Sequence, residues 1–179
     1  MTNWEDEIKT INSGLERFRA LNVYQLNLKP EPGKWSIAQQ FDHLITINST
    51  YFPIFDEIRA GTYKLPWQGR VAFIYNLLGK LILKSVEPGN SRKTKTFPIW
   101  EPSKSEIPGD ILDRFLEHQN KLSELMVSCK DLIEKGQVIS SPANKNIVYT
   151  VEIAFRVILT HERRHIMAAE RILGSNDMK

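Results

Sequence analysis

One stripe near the C-terminus constrains this chain more than any other feature. Ile147, Val151, Ala154, Ile158, His161, His165, Ala168 and Ile172 follow one another in steps of four and three, the spacing that puts side chains on one face of an α-helix. It predicts a long helix over residues 147–173 with that face turned to a core. Two positions of the face are histidines. Side chains four apart stack one turn above another, so His161 and His165 can direct ring nitrogens at one common cation. A lone histidine on an apolar face is ordinarily a core residue satisfied by hydrogen bonding. Two at this spacing each need partners for both nitrogens, and a metal ion satisfies one nitrogen on each ring.

The rest of the chain reads as further helices. Trp4, Ile8, Ile11, Leu15 and Phe18 share a stripe that predicts a first helix ending near Val23 and packing on the terminal one. Pro30, Pro32 and Gly33 make an ordered connection. Ser36 and Gln39 form a capping box for a second helix, whose stripe runs through Gln40, Leu44, Ile47, Tyr51, Ile54 and Ile58, with His43 on its edge. Pro53 should bend or split that helix. A shorter helix is expected over residues 71–83. A third long one is expected over residues 109–135, on the stripe Ile111, Phe115, His118, Leu122, Leu125, Cys129 and Leu132. His118 is a candidate pocket-wall residue or donor to a metal ligand, or else a satisfied core histidine.

Residues 87–108 carry five prolines and glycines together with Arg92, Lys93 and Lys95. A loop that long inside a domain tends to be a lid, a binding loop or mobile, and its basic cluster either meets an anionic substrate or is simply solvated. Residues 136–145 read as a polar connection. With no convincing alternation of strand residues, the fold class expected is all-α: a four-helix bundle with one short extra helix between the second and third main helices. Facing helices of such bundles commonly supply metal sites, so a third ligand is to be sought on another helix.

With 179 residues, a single domain over 1–179 is expected. A net charge of +3, with basic residues spread along the chain, argues against nucleic-acid binding. The single Cys129 fits a reducing compartment, and the polar, acidic Met1-Thr2-Asn3-Trp4-Glu5-Asp6 does not read as a secretion signal, so a cytoplasmic setting is expected. The most apolar stretch, 71–83, is interrupted by Asn76 and Lys80 and falls far short of the roughly 20 residues of a membrane span.

His161-Glu162-Arg163-Arg164-His165 also matches the HExxH pattern of zinc proteases, in which the glutamate is the general base. Those enzymes take a further ligand downstream. Here no histidine follows His165, and Glu170 lies on the same helix, turned away from it. His43 and His118 are the other imidazoles. Asp42 and Glu162 adjoin histidines but point about 100° away around their helices, and no catalytic role is assigned to them.

Gly33-Lys34-Trp35-Ser36-Ile37-Ala38-Gln39-Gln40-Phe41-Asp42-His43-Leu44, followed by His161-Glu162-Arg163-Arg164-His165, resembles the DinB superfamily. The resemblance implies a four-helix bundle, frequently a homodimer, with a divalent metal held by three histidines, here His43, His161 and His165. It further implies S-transferase or isomerase chemistry with a low-molecular-weight thiol, or metal-dependent hydrolysis, on a small-molecule substrate. Three nitrogens leave a coordination position open, as catalytic sites do. Zinc or nickel suits imidazole, and iron or manganese also fits. The alternative is a non-catalytic metal-binding stress-response or interaction module, since no nucleophile or base stands out beside the ligands.

Overall fold

Asn3 starts the first helix, α1 (Trp4–Ser13): its side chain accepts the Asp6 N–H, and Glu5, Asp6 and Glu7 occupy the turn where a helix N-terminus favours negative charge. Ile8 and Ile11 are buried beneath it, and Leu15 and Phe18 carry the same apolar line through a 3₁₀ turn, Glu16–Phe18. The helix expected to reach Val23 is thus broken after Ser13. A separate short helix, α2 (Val23–Asn27), begins at its own capping box of Asn22 and Gln25. The structure, a computed structural model, describes residues 3–89, 96, 98–103 and 106–175.

The Ser36–Gln39 capping box opens α3 (Ile37–Ser49) as the sequence predicts. Pro53 splits the second helix: α3 ends at Ser49, and α4 (Phe52–Arg59) restarts with the proline in its first turn, where a missing N–H costs nothing. Gly61, at φ 69°, then turns the chain. The next helix, α5 (Ala72–Val86), is longer than the minor element expected over 71–83 and packs on α8 and β2, so it is a main element of the fold. Gly79 makes that approach close, since a Cβ there would stand 3.2 Å from Cβ of Tyr149. The third long helix is interrupted at Cys129, giving α6 (Ile111–Ser128) and α7 (Lys130–Glu134).

The polar connection expected at 136–145 is instead the start of a hairpin. Strand β1 (Val138–Ser141) pairs antiparallel with β2 (Asn144–Thr150), in the register Val138↔Thr150, Ile139↔Tyr149 and Ser140↔Val148, with an irregularity between Ser140 and Ser141. Among the described residues the fold is therefore mostly helical with one short two-stranded sheet, rather than purely α. The last helix, α8 (Val151–Leu173), starts four residues later than its stripe suggests, because Thr150 caps it by accepting the Ile153 N–H. Ile147 sits four before Val151 and so prolongs the helical stripe by coincidence, but Ile147-Val148-Tyr149-Thr150 is a β-branched and aromatic run that suits a strand.

Helix α8 packs against α3, α5 and α1, while α6 packs against α1 and α3. Phe41 of α3 meets Phe18 and Phe115 edge-on or tilted at 5.5 and 5.2 Å, and Phe55 of α4 stacks on Phe155 of α8 at 5.5 Å. Trp4 of α1 also meets Phe155, at 5.8 Å, which joins the first helix to the last as expected. Each of these buried phenylalanines contributes about 1.5–3 kcal/mol by leaving water. Among the described residues, no helix is long and apolar enough to cross a membrane.

Candidate metal centre

The deepest line of α8 runs through Phe155, Ile158, Glu162, Ile166 and Ala169, all buried. His161 and His165 lie one residue's rotation to the side, half-buried, where α8 turns from the core toward α3. On α3, the capping box sets the helical phase that places Gln40, His43 and Ile47 on the facing surface. The consequence is convergence: one ligand atom from each of His43, His161 and His165 lies within 4.8 Å of the others. Ring centroids stand 5.2 Å apart for His43 and His161, 4.7 Å for His43 and His165, and 4.4 Å for His161 and His165.

Hydrogen bonds fix which nitrogens face inward. Nδ1 of His43 is 2.6 Å from the Trp100 carbonyl oxygen and Nδ1 of His165 is 2.6 Å from Oε1 of Gln40, so both donate from Nδ1 and keep a lone pair on Nε2. Nε2 of His165 lies 3.0 Å from Nε2 of His161. Two nitrogens on one ion at about 2.1 Å from each stand about 3.0–3.4 Å apart. The residues present therefore fit a divalent cation. Trp35, just before the cap, lies against two of the rings, at 4.8 Å from His43 and 5.9 Å from His165.

Burial holds His43 below its ordinary range, against the raising influence of the Trp100 carbonyl and Asp42. Burial, with His43 and Arg164 nearby, takes His161 down to about 3. Burial and the same cluster hold His165 well below the ordinary value. All three imidazoles are neutral near pH 7, the form that ligates metals.

The rings border a cavity of about 270 Å³. Apolar side chains from α3, α5, β2 and α8, including Ile47, Ile82, Ile147 and Val157, form much of its wall, and Trp100 closes part of it. Trp100 and Ser103 belong to the long segment read as a possible lid. They are fastened to α3, since Ser103 donates its N–H to Asp42 at 3.0 Å and accepts from Gln39 at 2.8 Å. Arg92, Lys93 and Lys95 lie outside the described residues.

The other acidic residues and the fourth histidine are elsewhere. Glu162 is not on the helix surface: it is fully buried, accepts from Asn48 at 2.7 Å and Gln119 at 3.2 Å, and is pushed by burial to about 8. It is absent from the cavity wall, so it does not serve these histidines as the glutamate of HExxH serves a protease. Glu170 pairs with Arg17. His118 of α6 is buried edge-on to Phe52, and it does not border the cavity. Sequence reasoning passed over Gln40, Trp35 and Trp100 as site residues. Gln40 left a signal, a polar residue on an apolar stripe three before His43.

The family model described as DinB superfamily matches residues 9–168. The chain belongs to the DinB superfamily. Neither a curated protein nor a solved structure matches it. Membership in the DinB superfamily and the convergence of His43, His161 and His165 together fit a metal-binding protein.

Proposed function

We propose that this DinB protein is a metal-dependent enzyme in which His43, His161 and His165 hold one divalent ion and the adjoining cavity takes a small substrate. The observation that carries this is the pairing of three converging, neutral imidazoles with an apolar-walled cavity at their free edge. When bound, the ion supplies a Lewis acid that lowers the pKa of a ligated thiol or water, serving thiol transfer or hydrolysis. The chain's own part is positioning. The Trp100 carbonyl and Gln40 hold two rings in the ligating tautomer, Trp35 lies against them, and isoleucine side chains line the adjoining space. A cavity of about 270 Å³ lies at the small end of ligand sites, so a bulky thiol cofactor enters by its sulfhydryl end alone. Zinc or nickel is the ion that best suits three imidazoles, with iron or manganese next.

Metal analysis of untagged protein tests the site. About one ion per chain is expected in the wild type, with loss in His43→Ala and His161→Ala, and unchanged content in both variants overturns the reading. Metal-dependent turnover of a thiol with an electrophile, abolished in His165→Ala, separates an enzyme from a passive metal-binding module. The packing of α1, α3, α6 and α8 supports a four-helix bundle onto which α5 is added. Phe73, Leu77 and Leu81, exposed in a row along α5, support a homodimer through that helix. The buried thiol of Cys129 accords with a reducing, cytoplasmic setting.

A further inference from the structure

The cavity that the three imidazoles border is also bordered by two phenols, Tyr51 at the α3–α4 break and Tyr149 on β2. Their hydroxyl oxygens are 2.9 Å apart. Tyr149 is wholly buried and Tyr51 nearly so, which places this polar pair in a largely apolar enclosure. Two phenols carry two protons and share one hydrogen bond, so one O–H is left to find an acceptor. Burial raises both groups above the ordinary phenol range, so both keep their protons and the pair acts as a donor. Ser141 borders the same cavity, and its hydrogen bond to the Tyr149 oxygen lowers that group in part, against the larger raising effect of burial. The 2.9 Å contact accommodates either phenol as donor, and with Tyr149 donating to Tyr51 the Tyr51 proton is the one left for an occupant of the cavity.

Resting on the metal-site reading above, we infer that Tyr51 donates a hydrogen bond to an oxygen of the substrate and that Tyr149 is a positioning residue that orients it. The substrate class follows from the enclosure. It is a small, mostly apolar molecule with one group that meets the histidine-held ion and an acceptor oxygen, such as a carbonyl or ester, a few bonds away. A sphere of the cavity's volume is roughly 8 Å across, within the span of one such ligand. The isoleucine and valine walls contact the apolar body between the two polar ends.

The test uses cobalt(II)-loaded full-length protein and two thiols, methyl 3-mercaptopropionate and 1-butanethiol, which lose their proton to solvent on ligating cobalt. Both bring sulfur to the ion, but only the first carries a carbonyl oxygen. Affinities are read from the sulfur-to-cobalt absorption during titration of the wild type, Tyr51→Phe and Tyr149→Phe. In Tyr51→Phe the preference for the ester over butanethiol falls about tenfold, the value of one buried hydrogen bond. In Tyr149→Phe it falls about threefold, because a misdirected donor keeps part of its bond, and this variant carries the test if Tyr51→Phe does not fold. Butanethiol affinity stays level throughout. An unchanged preference in both variants overturns the inference, as does cobalt uptake without ligation of either thiol. Failure of the wild type to take up cobalt is a different result, and it overturns the metal site itself.

Discussion

The Nδ1–H of His165 donates to Oε1 of Gln40 across the gap between α8 and α3, at 2.6 Å. This bond holds the ring tautomer that turns Nε2 toward His161, and it joins the helix carrying two of the histidines to the helix carrying the third. Removing the acceptor frees the ring to rotate and lets the proton move to Nε2. Gln40→Leu is therefore expected to weaken metal affinity about 10–100-fold, the usual effect of losing a ligand's outer hydrogen bond. Gln40→Glu keeps an acceptor in place and should restore most of the loss. Competition against a chromogenic chelator measures both. Equal affinity in wild type and Gln40→Leu would show that the bond does not orient the ligand.

Glu162 makes a second prediction. Its carboxyl is pushed up to about 8 by burial, so near pH 7 the folded protein holds it protonated. A protonated carboxyl needs an acceptor, and a half-turn of the Gln119 amide would bring it Oε1, which is buried without a partner among the described residues. Because the folded-state value lies above the ordinary 4.5, the associated stability is complete below pH 4.5 and is lost as pH rises through about 8. Glu162→Gln, neutral at every pH, should thus gain on the wild type as pH climbs from 5 to 9 in urea denaturation. Glu162→Ala opens a cavity and strands the Asn48 and Gln119 amides, and should cost about 3 kcal/mol. A flat difference between Glu162→Gln and wild type across that range would mean the carboxyl does not titrate there.

The same glutamate shows why the site was only partly legible. A stripe read in steps of three and four has no absolute phase, since two lines one residue apart both look helical. The stripe groups His161 with His165, whose ring nitrogens do converge, but the deepest line passes through Glu162, whose burial no polarity rule anticipates. The α3 phase was readable because Ser36 and Gln39 cap each other locally. The hairpin was not, because β1 is four residues long and β2 runs without a break into α8. Trp100 was invisible for another reason: it acts through its backbone carbonyl, and a side-chain pattern carries no trace of that.

Helix α5 presents Phe73, Leu77 and Leu81 to solvent at successive turns, with Trp67 and Val71 also exposed nearby in sequence. An apolar row of this kind is the usual mark of an interface. In light scattering after size exclusion, the wild type is expected to run as a dimer and Leu77→Glu as a monomer, since a carboxylate on each side of a two-fold contact repels its copy. A monomeric wild type would leave the row without its proposed partner. Metal content of the variant should be unchanged, because Leu77 does not border the cavity.

His118 supplies the pH dependence that least involves the metal. Its ring is buried edge-on to Phe52, its Nε2 has no partner among the described residues, and burial, aided by Lys121, takes it down to about 4 from the ordinary 6.5. A folded-state value below the unfolded one means that stability is fully present above pH 6.5 and is lost as pH falls through about 4, because the unfolded chain takes up the proton first. That gap corresponds to roughly 3 kcal/mol. His43, His161 and His165 are lowered as well and act in the same direction, so the informative quantity is the difference between His118→Leu and the wild type, measured with chelator present. The leucine also relieves a buried nitrogen of its missing partner, which should add about 1–2 kcal/mol at neutral pH. The variant is expected to be the more stable protein at pH 7, with a margin that widens toward pH 4. A margin constant with pH would assign the whole effect to packing and none to the proton.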